Sequence, residues 1–257
     1  MSLRVLARVA LATTAGVAAF ATARLVTETV SHALTLAGGA AFLFCAPAAP
    51  IAALRWVKPP TSAMMIRTRR RLARQSDGGT VLAHEWVDLD RISRPMWLAA
   101  IAAEDAYFRD HSGFDWDSIR EARAHNEAHA LKRGASTITQ QVAKNLFLWP
   151  EKSYVRKAVE AYLTLLIEAL WPKRRILEMY LNIAQFGEDV FGVQAAARRY
   201  FGKPAQDITD VEAALLAAAL PNPAAYQVSR PSHQLRFRQV WIRAAARRLG
   251  DGYLERL

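Results

Sequence analysis

A single cysteine, Cys45, occurs in the 257 residues, so no intramolecular disulfide can form and cysteine usage does not report the redox compartment. Acidic side chains are also short: 23 Asp and Glu stand against 34 Lys and Arg, for a formal charge of +11. A basic surface of that kind suits nucleic acid, anionic lipid or a phosphorylated substrate. No nucleic-acid-binding fingerprint accompanies the charge, which argues against the first of these. Internal repeats and repeated strand–helix–strand units are missing as well, which excludes solenoids and doubly wound sheets.

Charge is wholly absent from residues 33–54, ALTLAGGAAFLFCAPAAPIAAL. About 20 apolar residues cross a bilayer core, and Gly38, Gly39, Pro47 and Pro50 are tolerated in such a segment. A shorter alanine-rich run, Val9 to Ala23, precedes it. The expected organisation is therefore an N-terminal cytoplasmic or weakly membrane-associated segment, 1–32, and a transmembrane helix, 33–54. A basic connector, 55–81, and a domain over 82–257 follow. Arg4, Arg8 and Arg24 ahead of the span favour an inside N-terminus, whereas Arg55, Lys58 and the cluster Arg67 to Arg74 behind it favour the reverse.

Past the connector the pattern turns helical, and the expected fold class is mostly α. Thr80 to Val87 reads as a short strand. Ser93 with Pro95 reads as a helix start, and apolar residues continue at helical spacing until Gly113. Further helices are expected over Lys152 to Leu170, Lys173 to Ala184, Val190 to Tyr200 and Val211 to Leu220, the last stopped by Pro221-Asn222-Pro223. Trp149, Tyr154, Tyr162, Tyr180 and Phe186 are expected in the core or facing a membrane.

Three stretches carry chemistry. Glu104 ends an apolar helix, where a carboxylate can have a raised pKa and serve as a base. Asp105, Phe108, His111 and Gly113 follow it. Gly134 to Asn145 reads as a flexible loop entering a helix. Ser136, Thr137 and Gln141 there present hydrogen-bonding groups for sugar hydroxyls or phosphate oxygens, and Lys144 adds a cation. Arg156 and Glu160 share a helix face at i, i+4, beside Lys157. As a surface ion pair they would contribute only about 0.3–0.5 kcal/mol; as a site they set a second carboxylate among phosphate-binding cations. Two carboxylates separated by a hydroxyl-rich loop and fixed cations point to glycosyl transfer on an anionic substrate. His125 and His129, at i, i+4, could clamp a metal, but no third ligand is evident nearby, and no metal site is expected.

Together these blocks resemble the peptidoglycan glycosyltransferases of glycosyltransferase family 51, and within it the monofunctional biosynthetic transglycosylases. Two further blocks extend the resemblance. One runs from Arg175 through Asn182, Gly187 and Gly192 to Lys203; the other runs from Glu212 to Pro223. The resemblance implies a lysozyme-like helical fold and polymerisation of lipid II into β-1,4-linked strands, with inversion and release of undecaprenyl pyrophosphate. It implies Glu104 as the base for the acceptor's 4-hydroxyl and Glu160 as the donor-side carboxylate, acting directly or through a divalent ion (Mg or Mn), with no obligatory cofactor. Lys144, Arg156 and Lys157 would neutralise the pyrophosphate. Ser136, Thr137, Gln141 and Asn145 would bind substrate, and Asp105, Phe108 and His111 would shape the base's surroundings. The implied partners are lipid II, lipid-linked glycan, membrane lipids and other cell-wall synthesis proteins. The implied location is the bacterial inner membrane, single-pass, with the catalytic domain on the periplasmic side. A transpeptidase activity is not expected, since none of the serines has a lysine three positions on. The rival readings are a lysozyme-like lytic transglycosylase and a non-catalytic membrane scaffold.

Overall fold

The computed structural model describes Ser31 and residues 46–75, 81–129, 134–151 and 153–257. The expected segment 1–32 and most of the expected span 33–54 fall outside these. Among the described residues, no helix is long and apolar enough to cross a membrane. Two compact units divide the chain, Met1–Pro50 and Ile51–Leu257, and the second contains every residue of the candidate site.

The described residues are mostly helical. In chain order the helices are α1 (Ala48–Ala53), α2 (Ala63–Gln75), α3 (Arg94–Glu104), α4 (Trp116–Ala128), α5 (Ile138–Phe147), α6 (Tyr154–Leu170), α7 (Lys173–Ile183), α8 (Val193–Phe201), α9 (Asp210–Ala219), α10 (His233–Leu249) and α11 (Asp251–Leu254). Strands β1 (Ala83–His84) and β2 (Val190–Phe191) pair in parallel, Ala83 with Val190 and His84 with Phe191. The strand expected over Thr80 to Val87 thus shrinks to two residues. The helix expected from Val190 starts at Val193, because Val190 and Phe191 are taken by this pairing. Asn182 secures the same edge: its amide donates to Val87 O at 2.9 Å and its Oδ1 accepts from Val87 N at 2.8 Å.

The expected connector 55–81 needs a larger correction. Ala63–Gln75 forms a helix whose Met65 and Leu72 are buried in the domain, and α2 packs against α5. The compact unit that holds the expected domain 82–257 also takes in residues from Ile51 onward. Met65, Thr68 and Leu72, at helical spacing, give α2 one buried face, and its arginines lie exposed.

Helix α3 is the central element. Every residue from Met96 to Ala102 is buried, so the helix is apolar all round, as a core helix must be. It packs against α9 and α10, and α9 is similarly apolar and alanine-rich. A capping box between Thr209 and Glu212 satisfies the first turn of α9. Helix α5 packs against α6 and α7. The C-terminal end of α3 reaches the edge of the core at Glu104, where α5 begins.

Gly113 sets the spacing between these layers. Its φ of +91° is left-handed, and a Cβ there would lie 2.7 Å from Thr164 Cγ2 on α6. Gly134, expected to supply backbone freedom, is not among the described residues with positive φ. Gly113→Ala should destabilise the fold by about 2–4 kcal/mol, combining a left-handed backbone with overpacking. A thermal melt checks this, and an unchanged midpoint would show that α6 can move aside.

Candidate active site

Adjacent residues at the end of α3 reach two turns of α5. Asp105 caps α3, and its Oδ2 accepts from Ile138 N at 2.9 Å. That N–H belongs to the first turn of α5, which has no partner within the helix. One step back, Glu104 Oε2 accepts from Gln141 Nε2 at 2.7 Å. Positions 138, 141 and 144 lie three apart and share one helix face. The contact at 138 therefore brings Gln141 to Glu104 and places Lys144 one turn beyond.

The loop between α3 and α5 is held from below. His111 Nδ1 accepts from Gly113 N at 3.2 Å, so the ring proton sits on Nε2, which donates to Asp105 Oδ1 at 2.8 Å. Thr137 and Gln140 form a capping box on α5, and Thr137 Oγ1 donates to Gly113 O at 2.7 Å. Lys173 Nζ donates to His111 O at 2.6 Å and to Glu168 Oε1 at 2.9 Å, and lies 4.6 Å from the centre of the Phe108 ring. Thr139 Oγ1 donates to the same Glu168 oxygen. Asp105, Phe108 and Thr137 are buried and hold this arrangement from inside. Their reach is limited because each is spent on backbone or core contacts. Ser136 is exposed at the mouth of α5.

Glu104 has a raised pKa. Burial is the main cause, and the Gln141 hydrogen bond, Arg238, and Lys144 pull the other way. Tyr180 lies beneath Gln141 and donates to its Oε1 at 3.4 Å, which orients the amide with nitrogen toward Glu104. Burial holds the Tyr180 phenol well above its ordinary value, so it remains a donor. Tyr180 is thus a core residue with a polar task, and Phe186 is plain core; Trp149 and Tyr154 are exposed.

The second carboxylate is buried. Glu160 is 3% exposed, and its Oε2 accepts from Arg156 Nη1 at 2.6 Å while Lys157 Nζ donates to Oε1. Burial separates this pair from a surface i, i+4 contact. Arg156 Nε is buried and has no hydrogen-bond partner, so the cluster keeps a donor in reserve. Lys144 connects the two carboxylates. Desolvation lowers its pKa first; Glu160 and Glu104 both act on it in the opposite sense, and Arg156 and Lys157 reinforce the lowering. Lys144 is therefore within electrostatic reach of both acids and of both other cations.

His125 and His129 stack at 4.2 Å, and His129 Nδ1 lies 3.1 Å from His125 O. Among the described residues no group of three metal-capable side chains exists, there or elsewhere. Tyr180 and Arg238 are the site residues that sequence reasoning missed. Neither has a local signal: Tyr180 reads as one more apolar position of α7, and Arg238 as one of many arginines.

A buried carboxylate with a raised pKa, a lysine one turn beyond its partner Gln141 and a second, ion-paired buried carboxylate lie on one helical core. The chain belongs to the transglycosylase family, whose model matches residues 70–247. It is 48% identical over 206 residues to the biosynthetic peptidoglycan transglycosylase of Xanthomonas campestris pv. campestris strain B100, covering 80% of this chain and 84% of that one. It is 50% identical over 201 residues to the protein of that name from Aeromonas hydrophila (78% and 84% covered). The corresponding Cronobacter sakazakii protein is 53% identical over 196 residues (76% and 81% covered).

Proposed function

We propose that this protein polymerises peptidoglycan glycan strands, transferring the growing lipid-linked chain onto the 4-hydroxyl of lipid II. The observation that carries the reading is the pair of carboxylates on one helical core, Glu104 held by Gln141 of α5 and the buried Glu160 held by Arg156 and Lys157, with Lys144 one turn beyond Gln141. Glu104 accepts the proton of the acceptor's 4-hydroxyl; its raised pKa makes it a stronger base than an ordinary carboxylate. The freed oxygen attacks the donor's anomeric carbon from the face opposite the diphosphate, forming a β-1,4 bond with inversion. The C–O bond to the diphosphate breaks, and undecaprenyl pyrophosphate leaves with the electron pair. Lys144, Lys157 and the unpartnered Arg156 Nε supply the compensating positive charge.

A divalent ion at Glu160 does not fit this donor set. Both carboxylate oxygens already accept from cationic nitrogens, and the described residues offer no further ligands beside them. No step is therefore routed through a metal.

The proposed location is the bacterial inner membrane, single-pass, with this domain on the periplasmic side, where lipid II is polymerised. The uncharged run 33–54 supports an anchor. Exposed Trp149, Tyr154 and Val155 near the start of α6 support contact with lipid. Incubation of the purified full chain with lipid II should yield polymer and free undecaprenyl pyrophosphate, while finished glycan stays intact. Cleavage of finished glycan without polymerisation would assign the lytic reading; neither reaction would assign the scaffold.

A further inference from the structure

The match to the family model ends at residue 247, and the segment beyond it packs back onto the core. Gly250 closes α10 with a left-handed φ of +67°, which turns the chain so that α11 meets α3. Tyr253 and Leu254 of α11 are buried. Of the two, Tyr253 carries a polar tip, and such a tip needs a partner when buried.

That partner lies in the loop behind Glu104. Phe108 N donates to Asp105 O at 3.0 Å and Asp110 N to Tyr107 O at 2.7 Å, so the loop satisfies these two groups itself. Arg109 N, between them, instead donates to Tyr253 Oη at 2.8 Å. The Arg109 guanidinium covers the Tyr253 ring, 4.3 Å from its centre, and Nη1 donates to Tyr253 O at 3.5 Å. Burial, first of all, pushes the phenol up to about 12, against the pull of the Arg109 hydrogen bond, so it stays neutral. Arg109 stands two residues before His111, whose Nε2 holds Asp105. Asp105 fixes the start of α5 at Ile138, and α5 brings Gln141 to Glu104. A contact made by Tyr253 therefore reaches Glu104 through His111, Asp105 and α5.

We infer that Tyr253 is a positioning residue: its hydroxyl pins the loop from Asp105 to His111 and so keeps Glu104 aimed at the acceptor's hydroxyl. The inference rests on the proposed polymerase reading for its effect on rate. A base works best when held within about 0.5 Å of its productive place, and a loop released at Arg109 lets His111 and Asp105 shift. It also admits water beside Glu104. Because burial is the main cause of that group's raised pKa, added water brings the pKa down toward the ordinary value.

The test compares the full chain with Tyr253→Phe and Gly250→Ala, with lipid II as probe. Phenylalanine keeps the ring under Arg109 and removes only the acceptor. Alanine at 250 strains the turn that delivers α11 without crowding it, since a Cβ there meets nothing closer than Arg247 O at 4.0 Å. Both should lower kcat about three- to tenfold, the factor one net hydrogen bond is worth, with KM held within about twofold. The acid limb of the pH–rate profile should move to lower pH. Amide hydrogen exchange, read without substrate, should quicken about three- to tenfold over residues 105–113 and stay unchanged in α7. The melting midpoint of Tyr253→Phe should drop by no more than about 4 °C. An unchanged kcat and pH profile would overturn the inference and leave Tyr253 a core residue. So would a slower enzyme with wild-type exchange over 105–113, or a general rise in exchange with a matching fall in melting point, which is plain destabilisation. A wild type that does not polymerise lipid II would instead defeat the reading beneath it, and the exchange comparison would still report whether Tyr253 pins the loop.

Discussion

Glu104→Gln should abolish polymerisation, lowering kcat by about 10²–10⁴-fold, the usual contribution of a positioned base. Glutamine keeps the size and can still meet the Gln141 amide, so the loss reports chemistry and not collapse. Two accompanying results sharpen the expectation. First, wild-type activity should fall as pH drops through the raised pKa of Glu104, which lies above the ordinary carboxylate range because of burial. The Glu104→Gln residual activity should lack that limb. Second, the variant should not melt below the wild type at neutral pH. Folding raises this group's pKa, so its favourable contribution is complete below the unfolded pKa and is lost as pH rises through the folded one. Above the folded pKa of Glu104 the wild type carries an ionised, desolvated carboxylate that glutamine removes. The melting difference should shrink as pH falls below the unfolded value. A polymerising Glu104→Gln enzyme would remove the base from the scheme.

Glu160→Gln should behave differently, losing stability as well as activity. Arg156 is only 12% exposed at its side chain and would be left with a buried, uncompensated charge. Breaking one partner of such a pair costs about 3 kcal/mol, which in a domain of this size lowers the melting point by roughly 6–12 °C. Lys157, 49% exposed, can turn to water and softens the loss. The double variant Arg156→Met/Glu160→Leu separates the two effects. It should regain most of the stability, because an apolar pair of similar volume replaces a buried ionic one, yet it should remain inactive. Activity in that double variant would show that Glu160 and Arg156 are structural only.

These contrasts follow from the surroundings of two glutamates that look alike in the sequence. Glu104 has one neutral hydrogen-bond donor and a surplus of desolvation. Glu160 has two cationic donors and is buried among them. The first arrangement keeps a proton acceptor reactive, and the second keeps positive charge assembled in a place where water is scarce. Lys144 is within electrostatic reach of both, and in the proposed scheme a departing diphosphate would meet positive charge already in place.

Much of this was legible in the residue order because the relevant physics is local. Helical periodicity, the helix start at Ser93 and Pro95, the apolar run ending at Glu104, and the i, i+4 relation of Arg156 to Glu160 all act over one or two turns. The cysteine count excluded an intramolecular disulfide, and the pattern along the chain excluded solenoids and a doubly wound sheet. The block pattern from Glu104 to Pro223 was enough to indicate the family.

What only the tertiary structure decided are the meetings between distant positions. Asp105 capping α5 at Ile138, Tyr180 steering the Gln141 amide, Arg238 facing Glu104, and the buried state of Glu160 leave no mark within a turn of themselves. The inclusion of α2 in the domain was hidden for the same reason. An arginine-rich helix reads as a solvated linker until its few apolar residues find a core to enter. Local sequence sets which faces a helix has; desolvation and pairing, which fix what each charge can do, depend on which faces come together.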